Sequence, residues 1–399
     1  MNAKIVLGLL WGDEGKGMVT DWLCSKSKNS LVVRFSGGHQ AGHTVAHGLK
    51  RHVFSHFGSG TFHGAPTFWS KYCTFYPTGL VREYNALREM DVSPKIYIDP
   101  MSPVTTFYDV LWNQHQEMKR GDMRHGSCGV GFGATIARNE TPYKLHAQDI
   151  FYPVILKQKL QAISEYYKSM GFSADGDHPG LNFKVAENVF MEAIEECKKI
   201  VTIISEVILG NYEDVIFEGS QGILLDMDFG IFPNVTRSNV TSKNAFEMME
   251  RNGHFYPSVY YVTRAYQTRH GNGFMTNEGY VSNWDGYSNE TNKLNAWQGE
   301  FRKGNLDFDM INYALQCDSN FCHNAYKNIV VTCGDQINGD IIATSEGKKV
   351  IVVDMEDFMR HIKLELRPHY IFTNTSCHAG SIKQYQAKRS LDTYLAEEK

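Results

Sequence analysis

A chain of 399 residues, 42% hydrophobic and 21% charged, is long enough for two modest domains or one large α/β domain with a substantial core. Its 40 basic and 44 acidic side chains leave a formal charge of −4, so it lacks the global basic field of a nucleic-acid binder, while local anion pockets stay open to it. Short, interrupted apolar runs exclude a membrane-spanning segment, and most of the eight cysteines, which show no CxxC pair, read as free thiols of a reducing compartment.

The N-terminal segment KIVLGLL (4–10) reads as a buried strand. It leads straight into a glycine motif with no cleavage site, so a cytoplasmic protein is expected, and sequons such as Asn139-Glu140-Thr141 carry little weight. MVTDWLCSKS (18–27) follows as a helix and LVVRFSGG (31–38) as a second strand. Strand, helix and strand at this spacing predict a βαβ unit in a parallel sheet. Further along, residues 187–211 predict the longest helix, with Val189, Phe190, Ala193, Ile194, Cys197, Val201 and Ile204 on one face. VIFEGSQGILLD (215–226), YPSVYYVTRAYQTR (256–269) and NIVVTCGD (328–335) each open with an apolar strand. Ligands of open parallel sheets bind at the carboxyl ends of strands. WGDEGKG (11–17), SGGHQAGHT (36–44), EGSQG (218–222), TRHGNG (268–273) and TCGD (332–335) all occupy such positions, so they are expected to converge.

WGDEGKG has the look of a phosphate loop but lacks its pattern. That pattern puts Gly five residues before the glycine of Gly-Lys and Ser or Thr after the lysine; here those positions hold Leu10 and Gly17. The glycines still let backbone N–H groups approach phosphate oxygens, and Lys16 adds charge. Asp13 is a candidate to hold Mg²⁺, to accept a substrate proton, or both; the plain alternative is a turn with exposed acids. In SGGHQAGHT, His39 and His43 stand four apart, but the glycines weaken a helix there and no third ligand is evident, which argues against zinc. A histidine near phosphates suits proton donation to a leaving oxygen, against the plainer role of a turn cap. HGSCGVGFGAT (125–135) fits a phosphate cradle or a tight loop but not a dinucleotide fingerprint. Gln221 in EGSQG offers an amide that reads both a donor and an acceptor. Arg264, Arg269, Arg302 and Lys303 are candidates for carboxylates or phosphates, although a lone arginine more often sits on a solvated surface. Asp335 can accept hydrogen bonds from a purine or cap a helix.

In this order, WGDEGKG, GGHQAGHT (37–44), EGSQGILLDMDFGIFPNVT (218–236) and AYQTRHGNG (265–273) resemble the adenylosuccinate synthetase family. The resemblance implies one α/β catalytic domain over residues 1–399, built on a mainly parallel sheet with a phosphate-loop-like nucleotide site, working as a homodimer with Mg²⁺. It implies a ligase that joins L-aspartate to the 6-carbon of a purine nucleotide with hydrolysis of a nucleoside triphosphate. In that reading Asp13 and His43 are catalytic. Gly12, Gly15, Lys16, Gly17, Gly42, Thr44 and Asp335 face the triphosphate, and Asp13 with the Gly42 carbonyl holds the metal. Gln40, Ser127, Cys128, Gln221 and Thr236, with Asp13, face the purine monophosphate. Arg138 matches an arginine that reaches the partner subunit's nucleotide, and Arg302 with Lys303 meets the aspartate.

The departures from the family pattern point to its phage branch. The guanine-packing lysine of TKLD is absent from Thr332-Cys333-Gly334-Asp335, which favours ATP or dATP. The arginine loop keeps only Arg302, so a ribose 2′-OH loses a partner and a deoxyribose loses nothing. Gln40 replaces an asparagine, and GSCGVGFGAT and NAWQGEFR are similar to that branch, whose substrate is dGMP and whose product is N6-succino-2-amino-2′-deoxyadenylate. Asp13 pulls toward the alternative, an adenylosuccinate synthetase acting on IMP. A catalytically inactive nucleotide-binding regulator is the alternative of another class.

Overall fold

Period-two alternation in the apolar strands sets the architecture. In the computed structural model the described residues are 1–121, 126–172, 183–253, 255–279, 281, 283–284, 297–352 and 354–386. His125 of HGSCGVGFGAT and residues 295–296 of NAWQGEFR lie outside them.

The elements run β1 (Asn2–Gly8), α1 (Lys16–Ser25), β2 (Ser30–Arg34), β3 (His43–His47), β4 (Lys50–Phe54), β5 (Thr67–Trp69), α2 (Pro77–Glu89), β6 (Ile96–Ile98) and α3 (Phe107–Arg120). Then come α4 (Phe132–Asn139), α5 (Pro153–Ser169), α6 (Phe183–Ile200), β7 (Val201–Ile203), β8 (Asp214–Glu218), α7 (Lys243–Asn252), β9 (Tyr256–Arg264), β10 (Gln267–His270) and β11 (Phe301–Gly304). The last part holds β12 (Leu306–Asp307), α8 (Phe308–Ser319), β13 (Tyr326–Thr332), β14 (Ile341–Ser345), β15 (Lys348–Val352), α9 (Met355–Leu366), β16 (Tyr370–Thr373) and β17 (Lys383–Gln384).

Ten strands form one sheet in the order β17-β16-β13-β9-β1-β8-β2-β5-β6-β7. Every pair in it is parallel except β16 with β17. The expected parallel unit is present, but β1 and β2 are not neighbours: β8 lies between them, paired to both. Alternate residues face opposite sides. Ile5, Leu7, Leu31, Val33, Phe217, Val259, Tyr261 and Val331 pack against Met248 of α7, Phe308 and Ile311 of α8 and Phe358 of α9. Val6, Val32, Ile216, Val262 and Val330 pack against Val19 and Leu23 of α1. Each such side chain, buried on both faces of the sheet, contributes about 1.5–3 kcal/mol. Among the described residues no helix is long and apolar enough to cross a membrane, and the eight cysteines form no disulfide.

The helix expected over 187–211 is shorter and shifted. It spans Phe183–Ile200, and Val201–Ile203 leaves it to pair with β6 as the edge strand β7. Val201, Thr202 and Ile203 are β-branched, stiff at χ1, and gain more on a sheet edge than in another helical turn. Phe190, Ala193, Ile194 and Cys197 form the buried face, whereas Val189 is exposed.

Arg138 is also placed otherwise than expected. It is fully buried between α3, α4 and α5. Its Nε and Nη2 donate to the Asp109 carboxylate at 2.8 and 3.1 Å, Nη2 also to the Val104 carbonyl, and Nη1 to Asn139 Oδ1 and the Tyr143 carbonyl. Every guanidinium donor is used inside its own subunit, so Arg138 has none left for a partner subunit's nucleotide. Its role is in folding. Arg138→Met leaves Asp109 buried without its cation and is expected to lower stability by about 3–5 kcal/mol in urea denaturation; a variant as stable as the parent would contradict this assignment.

Candidate active site

The glycine-rich loop between β1 and α1 is held from outside at three successive carbonyls. Thr268 Oγ1 donates to Gly12 O at 3.1 Å, Arg264 Nε to Asp13 O at 2.6 Å, and Thr332 Oγ1 to Glu14 O at 2.8 Å. A trans peptide points its N–H opposite its carbonyl. With these carbonyls turned toward β9, β10 and β13, the N–H groups of residues 13–15 turn the other way, as an anion cradle requires. Asp13 adopts left-handed backbone at φ 60°, an uncommon conformation that the three bonds fix in place.

The loop lines a cavity of about 540 Å³, a size that suits small-molecule ligands. Gly12, Asp13, Glu14, Gly15, Lys16 and Gly17 form one wall. Gln40, Gly42, His43 and Thr44 form a second, and Cys128, Gln221, Arg264, His270 and Gln298 close it. Eleven of the residues expected at the site therefore meet here: Gly12, Asp13, Gly15, Lys16, Gly17, Gln40, Gly42, His43, Thr44, Cys128 and Gln221.

Gly17 explains the departure from the phosphate-loop pattern. A Cβ at Gly17 would stand 2.7 Å from His43 Cβ and 2.8 Å from Ser59 Oγ. The space that a Ser or Thr would take after the lysine is filled by the histidine of the second motif.

His43 is set by a carboxylate. Its Nδ1 lies 2.7 Å from Glu218 Oε1, and Glu218 also accepts from Ser59 N at 3.1 Å and from Ser59 Oγ. Arg34 on β2 pairs in register with Glu218 on β8. Burial pushes Glu218 up, but His43, Arg34 and Ser59 outweigh it and hold the carboxyl below its usual range. Burial moves His43 down, against the pull of Glu218. The consistent state is a neutral imidazole donating Nδ1–H to an ionised Glu218, which leaves Nε2 for the cavity. Glu218 opens the EGSQG motif, and only its position beside His43 reveals its part.

Glu14 and Lys16 are the second buried pair, 3.9 Å apart and nearly inaccessible. Lys16 Nζ donates to the Gln221 carbonyl. Glu14 Oε1 accepts the Leu10 N–H at 2.6 Å, while Oε2, which faces Lys16, accepts no hydrogen bond. Burial pushes Glu14 up to about 7 despite Lys16, and lowers Lys16 despite Glu14. Gln40 is similarly poised: neither its amide oxygen nor its nitrogen has a partner, and both atoms are buried.

Other expected residues stand apart from the cavity wall. Ser127 Oγ accepts from Asn113 at 2.9 Å, Thr236 bonds through its backbone to Leu225 O, and Asp335 lies in the short turn after β13. Arg269 donates to the carbonyls of Asn272, Phe274 and Asn234. Arg302, its cross-strand neighbour, donates to Gly271 O and Gly273 O and pairs with Glu278 at 2.6 Å. Lys303 Nζ sits 3.2 Å from the centre of the Trp284 ring. The β10–β11 hairpin thus uses its arginines to brace the turn after β10. His39 is bound to Val130 O and stacked near His56, a packing role.

A family model for adenylosuccinate synthetase matches residues 5–341. The adenylosuccinate synthetase of Polynucleobacter necessarius is 32% identical over 282 residues, 69% of this chain and 63% of that protein. That of Neisseria gonorrhoeae is 32% identical over 279 residues, 67% of this chain and 63% of its own length. The alignments thus span 63% of the length of these relatives. Among solved structures, the fully ligated adenylosuccinate synthetase of Plasmodium falciparum superposes with a TM-score of 0.77 at 17% identity, over 97% of this chain and 100% of that one. The succinoaminodeoxyadenylate synthetase of cyanophage S-2L gives 0.64 at 13% identity, over 100% and 99%. At these identities the likeness to both structures is one of fold.

The buried Glu14 makes the ligand-free protein pH-sensitive. Its carboxyl is raised from 4.5 to about 7, so the stability it confers is complete below the lower value and is lost as pH rises through the upper one. Glu14→Gln removes that loss. In urea denaturation the variant is expected to exceed the parent by on the order of 3 kcal/mol at pH 8 and by less than about 1 kcal/mol at pH 5. Parallel stability curves for the two proteins would refute the assignment.

Proposed function

The chain belongs to the adenylosuccinate synthetase family, and on that premise we propose that it is a ligase joining L-aspartate to the 6-carbon of a purine nucleoside monophosphate with hydrolysis of a nucleoside triphosphate. One observation carries this reading: a carboxylate (Asp13), a Glu218-held histidine (His43) and a phosphate-loop-like wall (Gly15–Gly17) border one cavity.

The chemistry follows from the leaving group. An oxygen double-bonded to C6 does not leave. As Asp13 takes the proton from ring N1, O6 attacks the γ-phosphorus; the O6–P bond forms and the bond to the diphosphate breaks. The aspartate amine then attacks C6, the C6–O bond breaks, inorganic phosphate departs with the electron pair, and the proton given up by the amine passes to that phosphate. Lys16 and the N–H groups of the loop hold the phosphates. His43 Nε2 faces the bridging oxygen, and a proton held there stabilises the charge that develops. The γ-phosphate would itself raise the histidine's proton affinity. Gln40, Gln221 and Cys128 contact the purine nucleotide.

The residues fit Mg²⁺. With Gly17 in place of a hydroxyl residue, the cavity wall offers the Asp13 carboxylate and the Gly42 carbonyl, and Glu14, whose Oε2 accepts no hydrogen bond, lines the same cavity. All are hard oxygens. Asp13 and Gly42 would hold the ion, which when bound offsets the charge of the phosphates.

For the nucleotide we propose dGMP, with ATP or dATP as the phosphate donor. Gln40 supports a purine with both donors and acceptors on its edge, since its amide has both kinds of atom unused. Cys333 and Gly334 stand where the family's guanine-packing lysine is missing. The cyanophage S-2L structure is bound to dGMP and dATP, and this reading takes over that pair. The product is then N6-succino-2-amino-2′-deoxyadenylate. Asp13 and the sequence relatives favour the second reading, IMP as substrate. Asp13, Lys16 and His43 on one cavity argue against a regulator without catalysis. Aspartate binding falls to Arg302, whose partner Glu278 presents a carboxylate that the substrate's would replace, with Lys303 adjacent. A homodimer in the cytoplasm completes the reading.

Purified protein given aspartate, Mg²⁺ and ATP or dATP is expected to convert dGMP to the succino product, followed by mass. Asp13→Asn and His43→Ala should each lower turnover by 10²-fold or more, about the usual worth of a positioned acid or base. Turnover of IMP but not dGMP would overturn the substrate assignment. Release of no phosphate with any purine monophosphate would overturn the ligase reading.

A further inference from the structure

A second group of ligating side chains lies outside the active site. Asp21 sits in mid-helix on α1, His47 ends β3, and His63 ends the 3-10 helix Ser59–His63. One donor atom from each falls within 4.8 Å of the other two. His47 and His63 are exposed, so the site is open to solvent, while Asp21 is only 2% exposed.

The geometry does not read as an ordinary ion pair. Asp21 Oδ1 is buried without a hydrogen bond, although His63 Nε2 stands 3.1 Å away. The approach has the distance of a hydrogen bond and lacks its direction. It is a few tenths of an ångström inside the ligand-to-ligand edge, roughly 3.3–3.6 Å, of a tetrahedral ion with bonds of about 2.0–2.2 Å. The rings of His47 and His63 are nearly perpendicular, 89° apart with centroids 4.8 Å apart, so their nitrogens can converge on one point. Two imidazoles and a carboxylate suit zinc-class ions and not Mg²⁺, which keeps to oxygen.

We propose that Asp21, His47 and His63 bind one divalent transition-metal ion of the zinc class, completed by water. The position gives it a consequence. The same three elements carry active-site residues at their other ends: Lys16 opens α1, His43 opens β3, and Ser59, which holds Glu218, opens the 3-10 helix. An ion held by mid-helix Asp21 and by the far ends of the other two elements clamps them together. The inference does not depend on the identity of the nucleotide substrate.

The test is a titration of the chelator-treated full-length protein with CoCl₂ in excess MgCl₂. One equivalent is expected to give visible d–d absorption of four- or five-coordinate Co²⁺ with no near-ultraviolet thiolate band, displaced by ZnCl₂. His47→Ala and His63→Ala, both at exposed positions, should each weaken binding 10-fold or more with unchanged circular dichroism. His43→Ala should bind as the parent does. Absence of a stoichiometric site would overturn the proposal, as would unchanged binding in both histidine variants, a thiolate band, or loss of the signal in His43→Ala.

Discussion

The site depends on how one loop is turned. Thr268, Arg264 and Thr332 take the carbonyls of Gly12, Asp13 and Glu14 in succession. These side chains come from the two strands β9 and β13 and from the short strand β10 that follows β9. Parallel pairing of β1 with β9 and of β9 with β13 brings their carboxyl ends level, Gly8 beside Val262 and Arg264 beside Thr332. The sheet register therefore fixes the direction of the loop's N–H groups before any ligand arrives, the preorganisation on which electrostatic stabilisation relies. The left-handed backbone of Asp13 is held by this network and points its acid to a cavity shared with Lys16 and His43.

A second constraint is charge in a dry setting. Glu218 is ionised because His43, Arg34 and Ser59 surround it, and it in turn selects the tautomer of His43. Glu14 and Lys16 are both driven toward neutrality by burial. Such pairs are destabilising in the free protein unless a ligand supplies counter-charge or hydrogen bonds. The unpartnered atoms of Glu14 and Gln40 fit a site whose polar groups are completed by substrate.

Much of this was legible in the sequence. Apolar runs ending in glycine-rich polar segments located the strands and their functional ends, because a strand buried on both faces reads as a short continuous apolar run bounded by turn residues. What failed depended on partners distant in sequence. Residues 201–203 match a helical face equally well, and only pairing with β6 decides for a strand. Arg138 reads as a binding residue until Asp109, 29 positions earlier, is found against it. Glu218 reads as a strand end until His43, 175 positions away, meets it. Arg264 reads as an anion binder and does line the cavity, but its second part, donating to the Asp13 carbonyl and to Tyr266, needs the fold. Gly17 is the converse case: its departure from the phosphate-loop pattern was visible at once, but its cause, the packing of His43, was not.

The acids of WGDEGKG make sense if one loop serves two ligands, a triphosphate along Gly15–Gly17 and a purine at Asp13. The decisive measurement follows an oxygen atom. With purine monophosphate labelled by ¹⁸O at the 6-position, aspartate and unlabelled triphosphate, the label is predicted to appear in the released inorganic phosphate, because O6 bonds to phosphorus before it leaves C6. Label lost to water with unlabelled phosphate released would contradict phosphoryl transfer to the purine, and with it the shared role of the loop.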